Sequence, residues 1–317
     1  MSEPWVHSDT WYRIAGPERF LNVRTGVLSD TVPDGTHNGT RRRSSADSGT
    51  WSVPFQTPPP ELPAELALPL AVNVQDQELV LVEAFGTSDL TFTAPHGVNL
   101  ERDGKPEHLP EDFTAYLARA WAAHTGGLAL SWPFAALEWC AHHEKPLPGA
   151  RDPNYLTFDE AAGNAWVRAL KLHRLRGLHV DVHGKADRDG EASCDVGVGA
   201  LRAGKSHKTA EAVVNMLASA LQGVLTARGF SVDSAPRLQG CWRSVPRQTL
   251  TQSSCKLGYT PVQLELGYAL RRELGRDRRF CLQMAEVFRE CASAAHRFVR
   301  GEQQGDPQSQ PDLGVGT

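Results

Sequence analysis

Four residues of this chain, His96, Glu101, His183 and Glu265, have the types and settings that metal-assisted chemistry needs. His96 follows the run Leu90-Thr91-Phe92-Thr93, whose alternation marks a strand. It therefore falls at the C-terminal edge of a sheet, where open α/β folds gather their ligands. Glu101 comes five residues later, a spacing that a loop can fold back onto one ion and that is not the three or four residues of a helical pair. His183 ends Leu178-His179-Val180-Asp181-Val182-His183, in which apolar and polar side chains alternate with the period of two of a strand. Asp181 shares the face of His183 and can orient it by accepting a ring N–H. Two histidines and one carboxylate leave a fourth position to water, the pattern of a catalytic zinc site. Zinc in such a site brings the pKa of that water to roughly 7 and polarises a carbonyl. A carboxylate must then take the proton and pass it to the leaving amine. Glu265, between the core-facing Leu264 and Leu266, is placed to be held rigidly for that task, and partial burial would raise its pKa.

The elements that must position these residues alternate along the chain. Leu79 to Phe85 is expected as a buried strand and Leu90 to Thr93 as a second. Pro110 is expected to open a helix carrying Phe113, Leu117, Ala120 and Trp121 on one face, stopped by Gly126-Gly127. Thr157 and Glu160 form a capping box ahead of a helix expected to run to Gly177. Lys208 to Arg228 carries Val213, Val214, Leu217, Leu221 and Leu225 at helical spacing before Gly229. Val262, Leu264 and Leu266 alternate with Gln263 and Glu265 in a late strand, and Arg278 to Val299 closes the domain as an amphipathic helix. Strands separated by helices imply an α/β domain, with a sheet covered by helices on both faces. Residues 1–60 lack either periodicity and are expected to be a poorly structured arm; 61–300 form the domain; 301–317, rich in Gln, Gly, Pro and Ser, are expected to be a disordered tail.

With 317 residues, 40% hydrophobic and 22% charged, the chain has ample material for a core. Its 33 basic and 37 acidic residues give a net charge of -4, which offers no reason to expect a nucleic acid partner. No run approaches the ~20 apolar residues of a membrane helix. Met1 to Tyr12 lacks the apolar core of a secretory signal. The six cysteines show neither CxxC nor a framework-like spacing and are expected to be reduced thiols, which makes a cytoplasmic location the default.

Taken in order, Thr93-Ala94-Pro95-His96-Gly97, Arg151-Asp152-Pro153-Asn154-Tyr155, Val180-Asp181-Val182-His183-Gly184 and Gln263-Leu264-Glu265-Leu266 resemble the successive signatures of N-formylglutamate amidohydrolases. These belong to the zinc-carboxypeptidase-like (phosphorylase/hydrolase-like) group, which also holds phage poly-γ-glutamate hydrolases. The likeness runs over roughly residues 80–295. It implies a mixed, mostly parallel sheet flanked by helices and one zinc ion. His96 and His183 would be ligands and Glu265 the catalytic carboxylate. Glu101 fits the His-x-x-x-x-Glu spacing of the poly-γ-glutamate branch; zinc carboxypeptidases space the pair more closely, and Asn99 stands where their glutamate would be. In the family's Asp-x-Asn-Arg segment Asn154 matches, but Tyr155 replaces the arginine that would meet a substrate carboxylate. Arg151, Arg237 or Arg243 could substitute, and Arg243, shortly before the catalytic strand, is preferred because a guanidinium clamps a carboxylate through two parallel hydrogen bonds.

Other sites weigh less. Adjacent His142 and His143 point apart and rarely share an ion. His179 is expected to make a structural hydrogen bond, and His207 precedes a helix start that Ser206 or Thr209 can cap. No pattern marks one cysteine as a nucleophile, and the Gly-x-Ser-x-Gly elbow and the phosphate-binding glycine loops are absent. The expected substrate is a small N-acyl amino acid, with a C-terminal peptide or a γ-glutamyl peptide as the alternative. A protein that keeps the fold for binding or scaffolding without catalysis is the rival from another class, and Tyr155 is the residue that favours it.

Overall fold

The computed structural model describes residues 79–304 except 144, 174–176, 206, 237–239 and 242–245, together with four short strands between residues 11 and 77. Three of these strands, β1 (Trp11–Ile14), β2 (Arg19–Asn22) and β3 (Leu28–Ser29), form an antiparallel sheet of their own. The remainder of the expected N-terminal arm, and the expected tail beyond residue 304, lie outside the described residues.

The main sheet has eight strands in the order β12-β11-β13-β10-β6-β9-β5-β4. In chain order these are β4 (Asn73–Gln77), β5 (Val80–Ala84), β6 (Thr91–Thr93), β9 (Leu128–Ser131), β10 (Leu178–Lys185), β11 (Cys194–Gly197), β12 (Val232–Asp233) and β13 (Thr260–Gly267). The central four, β13, β10, β6 and β9, run parallel; β11 is antiparallel to β13 but parallel to β12, and β5 is antiparallel to both β9 and β4. A separate hairpin, β7 (Leu100–Arg102) with β8 (Lys105–His108), leaves the sheet just after His96. The architecture is thus mixed α/β with a parallel centre.

Helices cover both faces. On one, α1 (Thr114–Thr125), α6 (His207–Thr226), α8 (Tyr268–Arg276) and α9 (Arg278–Gln304) enclose a core in which Phe92, Trp121 and Phe288 meet, with ring centroids 4.9–6.0 Å apart. On the other, α2 (Phe134–His143), α4 (Ala165–Leu172) and α7 (Leu250–Lys256) contribute to a second core around Trp132, Trp166 and Tyr259. The Trp132 indole N–H donates to the Pro95 carbonyl at 2.6 Å and the Tyr259 hydroxyl to that of Leu170 at 2.9 Å, while the Trp166 indole N–H is buried without a partner. The short helices α3 (Phe158–Gly163) and α5 (Gly199–Gly204) complete the set.

Coverage on both faces explains why β10 and β13 are buried almost throughout. Leu178, Val180 and Val182 face the first core; the alternate residues His179, Asp181 and His183 form a buried polar row. Two local expectations are corrected. The helix expected from Pro110 begins at Thr114, because Phe113 takes a left-handed φ of 72° and the amide of Glu111 is tied to the His96 carbonyl at 2.8 Å. The helix expected to run from the Thr157 capping box to Gly177 breaks at Asn164, which caps α3 and then accepts from the amides of Trp166 and Val167 to start α4.

The first core carries most of the apolar burial around the sheet centre. Phe288→Ala is expected to cost about 3–5 kcal/mol, read as a lower midpoint in urea unfolding followed by circular dichroism.

Candidate metal centre

At the C-terminal edge of the parallel strands, His96 and His183 point at each other with their Nδ1 atoms 3.0 Å apart. Glu111 completes the group: one carboxylate oxygen lies 3.1 Å from His96 Nδ1 and the other 3.4 Å from His183 Nδ1. These three residues are the one cluster among the described residues whose donor atoms could hold a metal ion.

The outer nitrogens are held by carboxylates. His96 Nε2 lies 2.9 Å from Asp152, and His183 Nε2 lies 3.0 Å from Asp181. A carboxylate only accepts, so the His96 ring is assigned its proton on Nε2, which leaves its Nδ1 lone pair directed at the shared point; His183 Nε2 lies between Asp181 and the Asn154 side-chain nitrogen, which is 2.9 Å away. Asp152 is in turn fixed by Arg102 and by the Asn154 amide at 2.8 Å; Asp181 accepts from Thr93 at 2.5 Å and from the Asn154 side chain at 3.4 Å. Asn154 is itself oriented by the Leu250 amide, which donates to its carbonyl oxygen at 2.6 Å. The Gly184 amide donates to Glu111 at 2.8 Å.

The electrostatics call for a cation. Burial alone would lower the His96 pKa, yet Asp152 and Glu111 lift it to about 9. Asp181 and Glu111 lift that of His183 against the same burial. Burial would raise the carboxyl of Glu111, but the two imidazoles hold it well below the usual range. Two nitrogens 3.0 Å apart cannot both carry a proton on the line between them. The arrangement therefore admits one shared proton or one metal ion.

Zinc fits the donor set. Bonds of about 2.0–2.2 Å in a tetrahedral shell put donor atoms roughly 3.3–3.6 Å apart, close to the separations found here. His108, at the end of β8, stacks on His96 with ring centroids 3.8 Å apart. Its Nδ1 lies 2.8 Å from the Leu109 carbonyl and must donate to it, so its Nε2 lone pair faces Glu111 at 3.3 Å. Burial and the neighbouring His96 lower its pKa. A neutral lone pair beside a carboxylate is itself better placed with a cation at hand.

Glu101, expected as the third ligand, is not part of this group. Strand alternation in β7 turns Leu100 into the core and leaves Glu101 exposed, its backbone bridged to Arg151. The hairpin then returns the chain so that Glu111, fifteen residues after His96 in sequence, reaches the site instead. Asn99 is buried with its side-chain oxygen unpartnered. Arg151 is exposed and bonded to Asp103 at 2.8 Å, and Arg243 and Arg237 lie outside the described residues. Glu265 sits beside His183 in the β10–β13 register, buried, and accepts from Gln263 at 2.5 Å. Burial first, and then Glu111, raise its pKa to about 7, although His183 works against them.

Two other histidines are accounted for. His179 lies 2.9 Å from the Thr93 hydroxyl and 2.8 Å from that of Ser254, and burial lowers its pKa to about 4. His143 lies on the Trp139 ring with its Nδ1 2.8 Å from the Trp139 carbonyl. All six cysteines are unpaired. No helix among the described residues is long and apolar enough to cross a membrane.

No protein-family model matches the sequence, and no curated protein matches it. Some solved structures are similar to part of the chain. A bacteriophage poly-gamma-glutamate hydrolase is 18% identical, over 70% of this chain and 92% of its own, with a TM-score of 0.39. A Shewanella denitrificans protein described as a carboxypeptidase A is 13% identical, over 74% and 66%, with a TM-score of 0.40. An aspartoacylase family protein from Mesorhizobium loti is 12% identical, over 69% and 65%, with a TM-score of 0.33. Likeness at this level concerns the arrangement of strands and helices and assigns no activity.

The geometry separates Glu111 from Glu101 by experiment. Titration calorimetry with zinc chloride should show one ion per wild-type chain and per Glu101→Gln chain, and none for Glu111→Gln. Asp152→Asn, which removes the carboxylate behind the His96 ring, should weaken binding roughly 10- to 100-fold.

Proposed function

We propose that the protein is a zinc-dependent hydrolase that cleaves an amide bond close to a carboxylate, in the manner of N-formylglutamate amidohydrolases. The observation that carries this reading is the convergence of His96, His183 and Glu111 on one point, with both imidazoles oriented from behind by Asp152 and Asp181. A structural zinc site closes all four positions with protein ligands, whereas three leave one open for chemistry. When bound, zinc would supply a polarised substrate carbonyl and a water of lowered pKa.

The chain's own residues supply the rest. Glu265 is beside the centre on a strand hydrogen-bonded along its length, so its position is fixed before substrate arrives. A carboxyl with a pKa near 7 can take a proton from the attacking water and give it up again to the departing nitrogen. Glu111, Asp152 and Asp181 are held ionised, so none of them competes with Glu265 as a proton donor. His108 closes one side of the centre against His96. Asn154 links Asp181 to the Leu250 amide and so steadies His183. For the substrate acid the sequence offers Arg151 and Arg243; of the two, Arg151 is engaged with Asp103. A C-terminal peptide or a γ-glutamyl peptide would satisfy the same centre, and the choice between these and N-formylglutamate is made by turnover.

Hydrolysis of N-formyl-L-glutamate, of a γ-glutamyl dipeptide and of a C-terminal dipeptide by the zinc-loaded protein tests the reading. Turnover of none of them would leave a binding protein with the same fold. With the substrate that is cleaved, Glu265→Gln should lower kcat by roughly 10²–10⁴ and leave zinc content unchanged.

The pH profile follows from the same group. Its base form is populated above its pKa, so kcat/KM should climb as pH rises through about 7 and then level off. Stopped assays between acid and alkaline buffers check this; a rate that falls across the same interval would remove Glu265 as the proton acceptor.

A further inference from the structure

A row of buried polar groups runs from the metal centre into the second core. Thr93, His179 and Asp181 are each 0% exposed, as is Ser254 on α7. Parallel pairing of β6 with β10 sets Thr93 opposite Asp181, and His179, two residues earlier on the same strand face, reaches it diagonally. The contacts are continuous. Ser254 Oγ lies 2.8 Å from His179 Nδ1, His179 Nε2 lies 2.9 Å from Thr93 Oγ1, and the Thr93 hydroxyl donates to Asp181 at 2.5 Å. Asp181 in turn stands 3.0 Å behind His183 Nε2. Apolar side chains of the same shapes would fill this space without the risk of a stranded donor or acceptor, so packing alone does not explain the row.

The proton count gives the row a direction. An ionised carboxylate donates nothing, so the single hydroxyl proton of Thr93 goes to Asp181. Thr93 Oγ1 can then only accept from His179, which places the imidazole proton on Nε2. Burial lowers the His179 pKa to about 4, so the ring carries no second proton near neutrality and its Nδ1 is a lone pair. The Thr251 carbonyl, 3.0 Å from the Ser254 hydroxyl, competes for that hydroxyl's proton. The buried Nδ1 lone pair has no other donor among the described residues, and the hydroxyl is assigned to it. Every donor in the row therefore points toward Asp181.

A second line from the same helix ends on the same carboxylate. The Leu250 amide, at the start of α7, fixes Asn154, whose side-chain nitrogen lies 3.4 Å from Asp181 and 2.9 Å from His183 Nε2. Asp181 is thus held from α7 through Thr93 on one side and through Asn154 on the other. We propose that Ser254, His179 and Thr93 are positioning residues for the metal centre, which fix Asp181 where it sets the His183 ring for zinc. This rests on the zinc reading above and extends the site to a helix that offers the metal no donor. His179, expected to make a structural hydrogen bond, becomes the middle link of a chain that ends on a metal-site imidazole.

Zinc affinity of the folded, full-length chain is the readout, because losing a merely structural bond lowers the unfolding midpoint and leaves that affinity alone. Thr93→Val keeps the shape but not the hydroxyl. In calorimetry with zinc chloride it should bind roughly tenfold or more weakly than wild type, and its cobalt(II) derivative should show displaced visible absorption bands. Thr93→Ser should restore both. Ser254→Ala, one bond further out, should weaken zinc by about three- to tenfold. Nitrogen-15 NMR of wild type depends on no variant folding: His179 should be the neutral Nε2–H tautomer at pH 7, with and without zinc. Unchanged zinc affinity in folded Thr93→Val and Ser254→Ala overturns the assignment. So does a Thr93→Ser chain as weak as Thr93→Val, or a His179 found charged or protonated on Nδ1. A wild type that binds no zinc sinks the metal-centre reading together with this one, whereas wild-type binding that the variants do not alter sinks this one alone.

Discussion

Two imidazole nitrogens that meet at 3.0 Å inside the protein impose a condition on everything near them. Unless a positive charge lies between or beside them, their lone pairs repel, and the carboxylates of Glu111, Asp152 and Asp181 lose what repays their burial. A buried carboxylate stripped of its partner costs several kcal/mol, so the group is stable only as a whole. The surrounding bonds serve this one condition. Asp152 and Asp181 turn the rings, Arg102 and Thr93 hold the aspartates, and the Leu250 amide fixes Asn154 between them.

The supports differ in stiffness. His183 stands on β10, paired along its whole length to β13 and through part of it to β6. His96 follows β6 directly, and Trp132 clamps the carbonyl just before it. Glu111 comes from a connection with no regular structure, held by a backbone bond to His96 and by the Gly184 amide. Two donors are therefore set by the sheet and the third by contacts made to them. A site of this kind assembles around its histidines.

Much of this was legible beforehand because strand alternation is a strong signal. Leu178 to His183 and Val262 to Leu266 announce their polar faces, so His183, Asp181 and Glu265 could be found from period alone. His96 was legible as a strand end. The helices expected over Lys208 to Arg228 and Arg278 to Val299 follow from apolar spacing and appear as α6 and α9. Glu111 was hidden for a physical reason: it follows Pro110 and reads as the acidic first turn of a helix, while Phe113 in fact delays that helix to Thr114. Short spacing favoured Glu101, and only the hairpin shows why a residue further on arrives first. Fully buried strands such as Leu128–Ser131 have no polar face to alternate, which conceals them from any reading of periodicity.

The β10–β13 alignment sets His183 opposite Glu265 and Val182 opposite Leu264. Because successive side chains take opposite faces, sliding one strand by a single residue would confront each polar group with an aliphatic one. Such a slip would strand charges in oil and open holes in the core at the same moment. Fidelity of strand pairing is thus guarded by two unrelated penalties, and a sequence drifting under pressure for packing alone would still keep its reactive groups in step.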